Sequence, residues 1–301
     1  MELEIPLTLR WKQGRDIPFT MTNSIQAVVI DDQVYVGGGY NFDNGRVVML
    51  YTLNSGCWRT LPRYDSVWFG MVAVNNILVL VGGAYSSSRI TNVLGVWDEG
   101  LRSWTHPYPA MPTPRSQVSV VSHHKWLIVA GGLSDGPLCL SDVEILDTSL
   151  KQWYEAASLP IACCAMSSTR NGNTWYLSRG SSSMMSQASN HVFCVNLDEL
   201  ISEATSHSDS SVSTPSPWQP LPDTPLVHST VVVFRGALLA VGGWKSSSIH
   251  LYQPSCQRWI KVGELPHMRY QCACVVLPSG ELFVTGGCGD IYSVDIATIN
   301  M

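Results

Sequence analysis

Nine cysteines, eight histidines and thirteen arginines are the side chains best able to do chemistry in this chain of 301 residues. The cysteines are scattered, apart from Cys163-Cys164 and Cys272-x-Cys274. A structural zinc site draws its thiolates from positions two to four residues apart, and adjacent cysteines cannot easily share one tetrahedral ion. These thiols fall at the start of apolar runs and read as small buried residues of inner strands, so neither a metal nor a cofactor is expected. His123-His124 lies in a turn between two such runs and reads as surface. The chain holds no Gly-x-Ser-x-Gly elbow, phosphate loop, dinucleotide fingerprint or His-Glu-x-x-His helix. It is expected not to be an enzyme.

Binding is the chemistry that remains. Aromatic rings and arginines are over-represented among interface anchors, and loops on a rigid scaffold are where they act. The chain has eleven tryptophans and eleven tyrosines. Its net charge is −5, and its 18 Lys and Arg form no run. It therefore lacks the basic footprint of a partner for nucleic acid or anionic membrane. Which rings reach a surface depends on the elements that carry them.

Those elements repeat. Apolar runs ending in a glycine doublet recur as VYVGGG (34–39), LVLVGG (78–83), LIVAGG (127–132), LLAVGG (238–243) and LFVTGG (282–287). WYLSRG (175–180) is a degenerate sixth, with Arg179 where the first glycine should be. Tryptophans follow at Trp58, Trp104, Trp153, Trp218 and Trp259, several with a Leu-Pro or Met-Pro step beyond. The last doublet has no tryptophan after it, while Trp11 is left over near the start in a similar strand-then-proline context. Five complete units and one shared between the two ends make six. The strand near residues 7–12 is expected to complete the last unit and remove its open edge. Within a unit, turn residues divide four short strands, as at 117–122, 126–132, 141–147 and 151–156. Glycine permits close backbone approach between packed sheets, and tryptophan fills the space between them.

This pattern resembles the kelch repeat, a unit of about 50 residues, along the whole chain. The resemblance implies an all-β fold: a six-bladed kelch β-propeller with four antiparallel strands per blade, in one domain over 1–301, closed by the N-terminal strand. MPTPRSQ (111–117), VEILDTSLKQW (143–153) and LPDTPLVHSTVVVFRGALLAVGG (221–243) look like the divergent kelch arrays of invertebrate multidomain signalling proteins. Some kelch propellers are enzymes. The Tyr, His and Cys ligands of the copper oxidases, the acidic and His ladder of the iron-dependent specifier proteins and the arginine cluster of sialidase-like propellers find no match here. The resemblance implies instead a protein–protein interaction module, with a small-molecule or enzymatic site at the channel mouth as the alternative.

In a four-stranded blade, strands b and d run parallel, so the b–c and d–a loops open on one face. That face is expected to gather Tyr40, Tyr85, Arg89, Trp244 and Lys245 from b–c loops, and Trp68, Arg115, His228, Arg269 and Tyr270 from d–a loops. Asn23, Trp68, Gln117, Ala165, His228 and Gln271 should line the channel rim. The mouth resembles the peptide-docking face of kelch domains that recruit substrates to ubiquitin ligases. Its arginines would suit an acidic or phosphorylated protein or peptide. An insertion at about 199–217 lengthens the fourth unit. LDELISEA suits one or two helical turns, and the Ser/Thr/Pro-rich remainder suits a flexible surface loop. The first 20 residues lack the basic start and apolar stretch of a signal peptide, and no window has the apolar length of a spanning helix. With scattered thiols, a monomeric cytoplasmic protein is expected.

Overall fold

The computed structural model describes residues 8–18, 25–39, 46–86, 89–136, 138–181, 189–206, 216–287 and 293–300. Six antiparallel four-stranded sheets lie within them, and the strands of each are lettered a to d from the inside outwards. Blade 1 is Ile25–Ile30, Gln33–Gly38, Val48–Thr52 and Cys57–Thr60. Blade 2 is Gly70–Val74, Ile77–Val81, Leu94–Asp98 and Ser103–Thr105. Blade 3 is Ser119–His123, Trp126–Ala130, Val143–Asp147 and Gln152–Ala156. Blade 4 is Ser167–Asn171, Thr174–Gly180, Ser189–Asn196 and Gln219–Leu221. Blade 5 is Thr230–Phe234, Ala237–Gly243, Ser246–Gln253 and Arg258–Glu264. Blade 6 is Ala273–Val276, Leu282–Thr285, Val294–Asn300 and then Thr8–Gln13.

Neighbouring a strands touch around a closed cycle, so the six sheets form a propeller. The closing strand pairs antiparallel with Val294–Asn300 and sets Trp11 opposite Ala297, as the leftover tryptophan predicts. A repeated hydrogen bond ties each blade to the one before it. A buried indole N–H needs an acceptor, and each strand-d tryptophan finds a carbonyl where the preceding blade ends. The bonds are Trp58 to Arg15 (2.8 Å), Trp104 to Pro62 (2.8 Å), Trp153 to Pro109 (3.2 Å), Trp218 to Ala157 (2.9 Å), Trp259 to Pro222 (2.9 Å) and Trp11 to Glu264 (2.9 Å). One of the six, Trp11 to Glu264, joins the two ends of the chain, so the ring closes with the same device that builds it.

The doublets show why glycine is required. Gly131 has φ +60°, and a Cβ there would sit 2.3 Å from the Cys163 carbonyl oxygen in the next d–a loop. The Gly132 N–H donates to that same oxygen at 2.9 Å. Gly82-Gly83 and Gly242-Gly243 repeat this on the carbonyls of Arg115 and Arg269. In blade 1 the left-handed pair is Gly38-Gly39, one residue later than a count from Gly37 implies. Gly172 has a similar φ of +55° but no atom within 4 Å of a would-be Cβ. Gly172→Ala is expected to cost only the left-handed strain, about 1–2 kcal/mol. Gly131→Ala should cost at least twice as much, read from urea unfolding midpoints.

The insertion in blade 4 is more ordered at its start than a surface loop. Helix α1, Leu197–Thr205, is capped by Asn196, whose Oδ1 accepts from the Asp198 and Glu199 N–H groups. Acids in the first turn suit the positive end of the helix dipole. Leu197, Leu200 and Ile201 are buried in the core of blades 3 and 4, with Trp175 and Trp218. The helix also explains His123, which is 2% exposed and not on the surface as its turn position implies. Arg170 can only donate, so its Nη1 fixes His123 Nδ1 as acceptor at 3.1 Å, and His123 Nε2 donates to Asp198 at 2.8 Å. Residues 207–215 of the insertion lie outside the described residues.

Candidate functional site on the loop face

Five residues around the channel mouth, Trp68, Gln117, Ala165, His228 and Gln271, stand at φ between +52° and +62° just before their inner strands. No residue but glycine adopts this region freely, and each costs about 1–2 kcal/mol. Main-chain bonds between adjacent blades hold them there. Gln117 N donates to Trp68 O at 2.8 Å, Ala165 N to Gln117 O at 3.0 Å, and Gln271 N to His228 O at 3.0 Å. The backbone geometry is constant while the side chains differ. The rim is a fixed frame that presents variable groups at one mouth. Asn23, the sixth expected member, lies outside the described residues.

Three rings gather on this frame between blades 5 and 6. Trp244, 48% exposed, meets Tyr270 edge-on with centroids 4.9 Å apart. His228 stands 6.3 Å from Trp244 and 6.0 Å from Tyr270. Gln271 Nε2 donates to His228 Nδ1 at 2.9 Å, which orients the imidazole. The Trp244 main-chain N–H donates to Val227 O at 2.9 Å and anchors the b–c turn. Lys245 follows, exposed and at φ +54°. Met268, 57% exposed on the same d–a loop, adds an apolar group that the sequence analysis did not single out.

A second cluster lies across the ring on blade 2. The Arg89 guanidinium sits 5.0 Å from the Tyr85 ring centroid, a cation–π distance. Arg46 from blade 1 donates to Tyr85 O at 2.7 Å, and Thr91 Oγ1 to the Tyr85 hydroxyl at 3.4 Å. Trp68 is only 8% exposed and packs on Val67, Ala84 and Ile90, so it forms a wall and not a projecting anchor. Tyr40 lies outside the described residues.

Arg115 and Arg269 do not belong to the surface. Both are 0% exposed. Arg115 donates to Gly131 O at 3.2 Å and Asp142 O at 2.9 Å, and its Nη2 lies 2.9 Å from Glu144 Oε1. Arg269 donates to Gly286 O at 2.6 Å, to Ser293, and to Asp295 Oδ2 at 2.7 Å through Nη2 and 3.2 Å through Nε. Ser66, at the matching position before blade 2, donates to Gly82 O at 3.1 Å. The position caps the first doublet carbonyl of its own blade. A strand-c acid in the same repeat was the signal that these arginines face inward.

The channel inside the a strands has a cavity volume of about 530 Å³. Its polar side chains join blade to blade. Gln26 accepts from Met71 N at 2.7 Å, Ser122 donates to Ala73 O at 2.6 Å, and Thr230 donates to Cys272 O at 2.8 Å. Cys272 and Cys274 pack in the apolar core of blades 5 and 6 beside this channel, and burial pushes the Cys274 thiol well above its ordinary value. Cys163 and Cys164 sit above it, in the d–a loop before blade 4, and not on an inner strand.

A closed ring of six four-stranded blades defines a β-propeller. The chain belongs to the kelch-repeat family: residues 68–287 match the KLHDC2/KLHL20/DRC7 Kelch-repeats domain. It is 25% identical to Beta-scruin of Limulus polyphemus over 77% of this chain and 26% of that protein. It is 24% identical to Alpha-scruin of the same animal over 91% of this chain and 31% of that one. Human Kelch-like protein 38 is 22% identical over 80% of this chain and 39% of its own length. The chain thus spans about a quarter to two fifths of these relatives. A solved structure titled "Structure of YjhT" superposes with a TM-score of 0.74 at 15% identity, covering 95% of this chain and 99% of that one, which shows the fold alone. Among the described residues, no helix is long and apolar enough to cross a membrane.

Proposed function

We propose that this chain is a non-catalytic module that docks a protein or peptide on the face formed by its b–c and d–a loops. The observation that carries the reading is the exposed Trp244, held by Tyr270 and His228 on a hydrogen-bonded rim. Tryptophan, tyrosine and arginine dominate interface hot spots, and rings on a rigid frame lose little entropy on binding. Tyr85 and Arg89 supply a second contact across the ring, so the partner spans the mouth. Lys245 and Arg89 leave cationic points for acidic or phosphorylated groups at its edges, while the rings supply most of the affinity. The eight described cysteines are free thiols, in keeping with a reduced, cytoplasmic setting, and the module acts as a monomer.

A small-molecule site is the second reading, favoured by a channel volume within the range of ligand pockets. Against it, the space at the rim beside Trp68, Gln117 and Ala165 is only about 30 Å³, room for one water. The channel's polar groups named above are also engaged between blades.

The test is affinity capture from lysate with the wild type and a Trp244→Ala/Tyr270→Ala variant of matched melting temperature. Hot-spot truncations cost about 2 kcal/mol or more each, so recovery of the specific partner should fall at least 30-fold. An identical set of captured proteins at equal yield would reject this face as the docking site.

A further inference from the structure

Two loops of blades 3 and 4 bring a pair of thiols onto one oxygen. Cys139 lies in the b–c loop of blade 3, and Cys164 in the d–a loop leading to blade 4. Cys139 Sγ donates to the Ser181 carbonyl at 2.9 Å, and Cys164 Sγ donates to the same atom at 3.5 Å. The two side chains pack together in one small cluster with Leu133 and Ala162. Backbone bonds fix both partners: Cys164 and Ser181 exchange N–H···O bonds of 3.0 and 3.1 Å, and Cys139 bridges Leu133. Cys139 is 8% exposed and Cys164 2%, beside Leu138 at 71%. Ser181 follows the degenerate Arg179-Gly180 step, so the pair occupies the seam where the doublet pattern breaks.

We propose that Cys139 and Cys164 are a reversible oxidation site that forms a disulfide when the folded chain meets a hydroperoxide. Cys139 is the attacking thiolate. Its sulfur displaces hydroxide from hydrogen peroxide and becomes a sulfenic acid, and the hydroxide takes up a proton to leave as water. Cys164 then loses its proton, attacks the Cys139 sulfur and expels the sulfenic oxygen as a second water. The balance is two thiols and one peroxide to one disulfide and two waters, with the peroxide reduced by two electrons. The order of events follows the protonation of the pair. When Cys164 turns its S–H from the carbonyl to the Cys139 sulfur, that bond holds the Cys139 thiol below its ordinary value, and the same bond, with burial, pushes Cys164 up. Thiolate character selects the first sulfur to react. Cys163, next in sequence, is pushed up to about 11 by burial and by the charge of Cys139, and is the poorer nucleophile.

The bond would staple the blade 3 b–c loop to the blade 4 d–a loop, on the face already argued to dock partners. The chemistry does not depend on that reading, and neither does its test. The folded chain is treated with equimolar hydrogen peroxide, its remaining thiols are alkylated after denaturation, and the peptides are mapped by mass. The expected product links the Cys139 and Cys164 peptides, is reversed by dithiothreitol and raises the melting temperature by several degrees. In Cys164→Ser the Cys139 sulfenic acid should persist and be trapped by dimedone, whereas Cys163→Ser should still form the link. Oxidation confined to the exposed Cys57 and Cys256, with Cys139 and Cys164 still alkylatable, would overturn the proposal. So would a link from Cys139 to Cys163. The wild-type map decides the matter even where a variant fails to fold.

Discussion

Alanine in place of Arg269 is expected to lower the stability of the fold by about 3–5 kcal/mol, the range for stranding one partner of a buried ion pair. The guanidinium reaches Gly286 O, Ser293 and Asp295 while fully buried, and Asp295 is itself 3% exposed. Without the arginine, that carboxylate keeps its desolvation and loses its charge partner. Arg269→Lys should recover little, because an ammonium cannot span the same set of acceptors. Arg269→Leu paired with Asp295→Leu should recover much of the loss, since removing both charges also removes the penalty. The exposed pair Arg59–Glu99, 39% and 61% exposed, gives the contrast. Its disruption should cost no more than about 1 kcal/mol. Denaturant unfolding of the four variants checks the whole series. The functional consequence is indirect: Arg269 anchors the loop that presents Tyr270, so its loss should weaken docking only as the loop loosens.

Removing residues 1–14 is expected to be worse. The deletion strips strand d from blade 6 and exposes the ladder groups of Val294–Asn300 that pair with Thr8–Gln13. It also takes away Trp11, its bond to Glu264 O, and the Leu9 packing beside Gly263. Burial of two large apolar side chains amounts to about 3–6 kcal/mol, comparable with the whole net stability of a typical domain. An open edge strand also templates aggregation. The truncated chain should be insoluble, or should melt far below the intact one without a single cooperative transition. An unchanged melting temperature and a monomeric elution profile would contradict ring closure by the N-terminal strand.

The repeat was legible because it is local. Glycine doublets, intact in five blades, the tryptophans after them and the leftover Trp11 each report a packing need that recurs from blade to blade, so counting them yields the ring and its closure. The face that carries Trp244, Tyr270 and His228 followed from strand direction alone. Arg115 and Arg269 were misplaced because their burial is set by a strand-c acid that loop conformation brings to them. Position along a loop says nothing about which way a long side chain turns. His123 failed for a similar reason: its turn is exposed by pattern, but a helix from the next blade's insertion covers it. The meeting of Cys139 and Cys164 depends on two loops from different blades, and no periodicity encodes that approach.

Hydrogen exchange of the chain, free and saturated with the captured partner, tests the docking claim most directly. Slowed exchange is expected at 84–86, 226–229, 243–246 and 266–271, the loops that carry Tyr85, His228, Trp244 and Tyr270. The c–d turns at 99–102 and 148–151, on the opposite face, should exchange at the same rate in both states. Protection of those turns with the loop face unchanged would contradict the account.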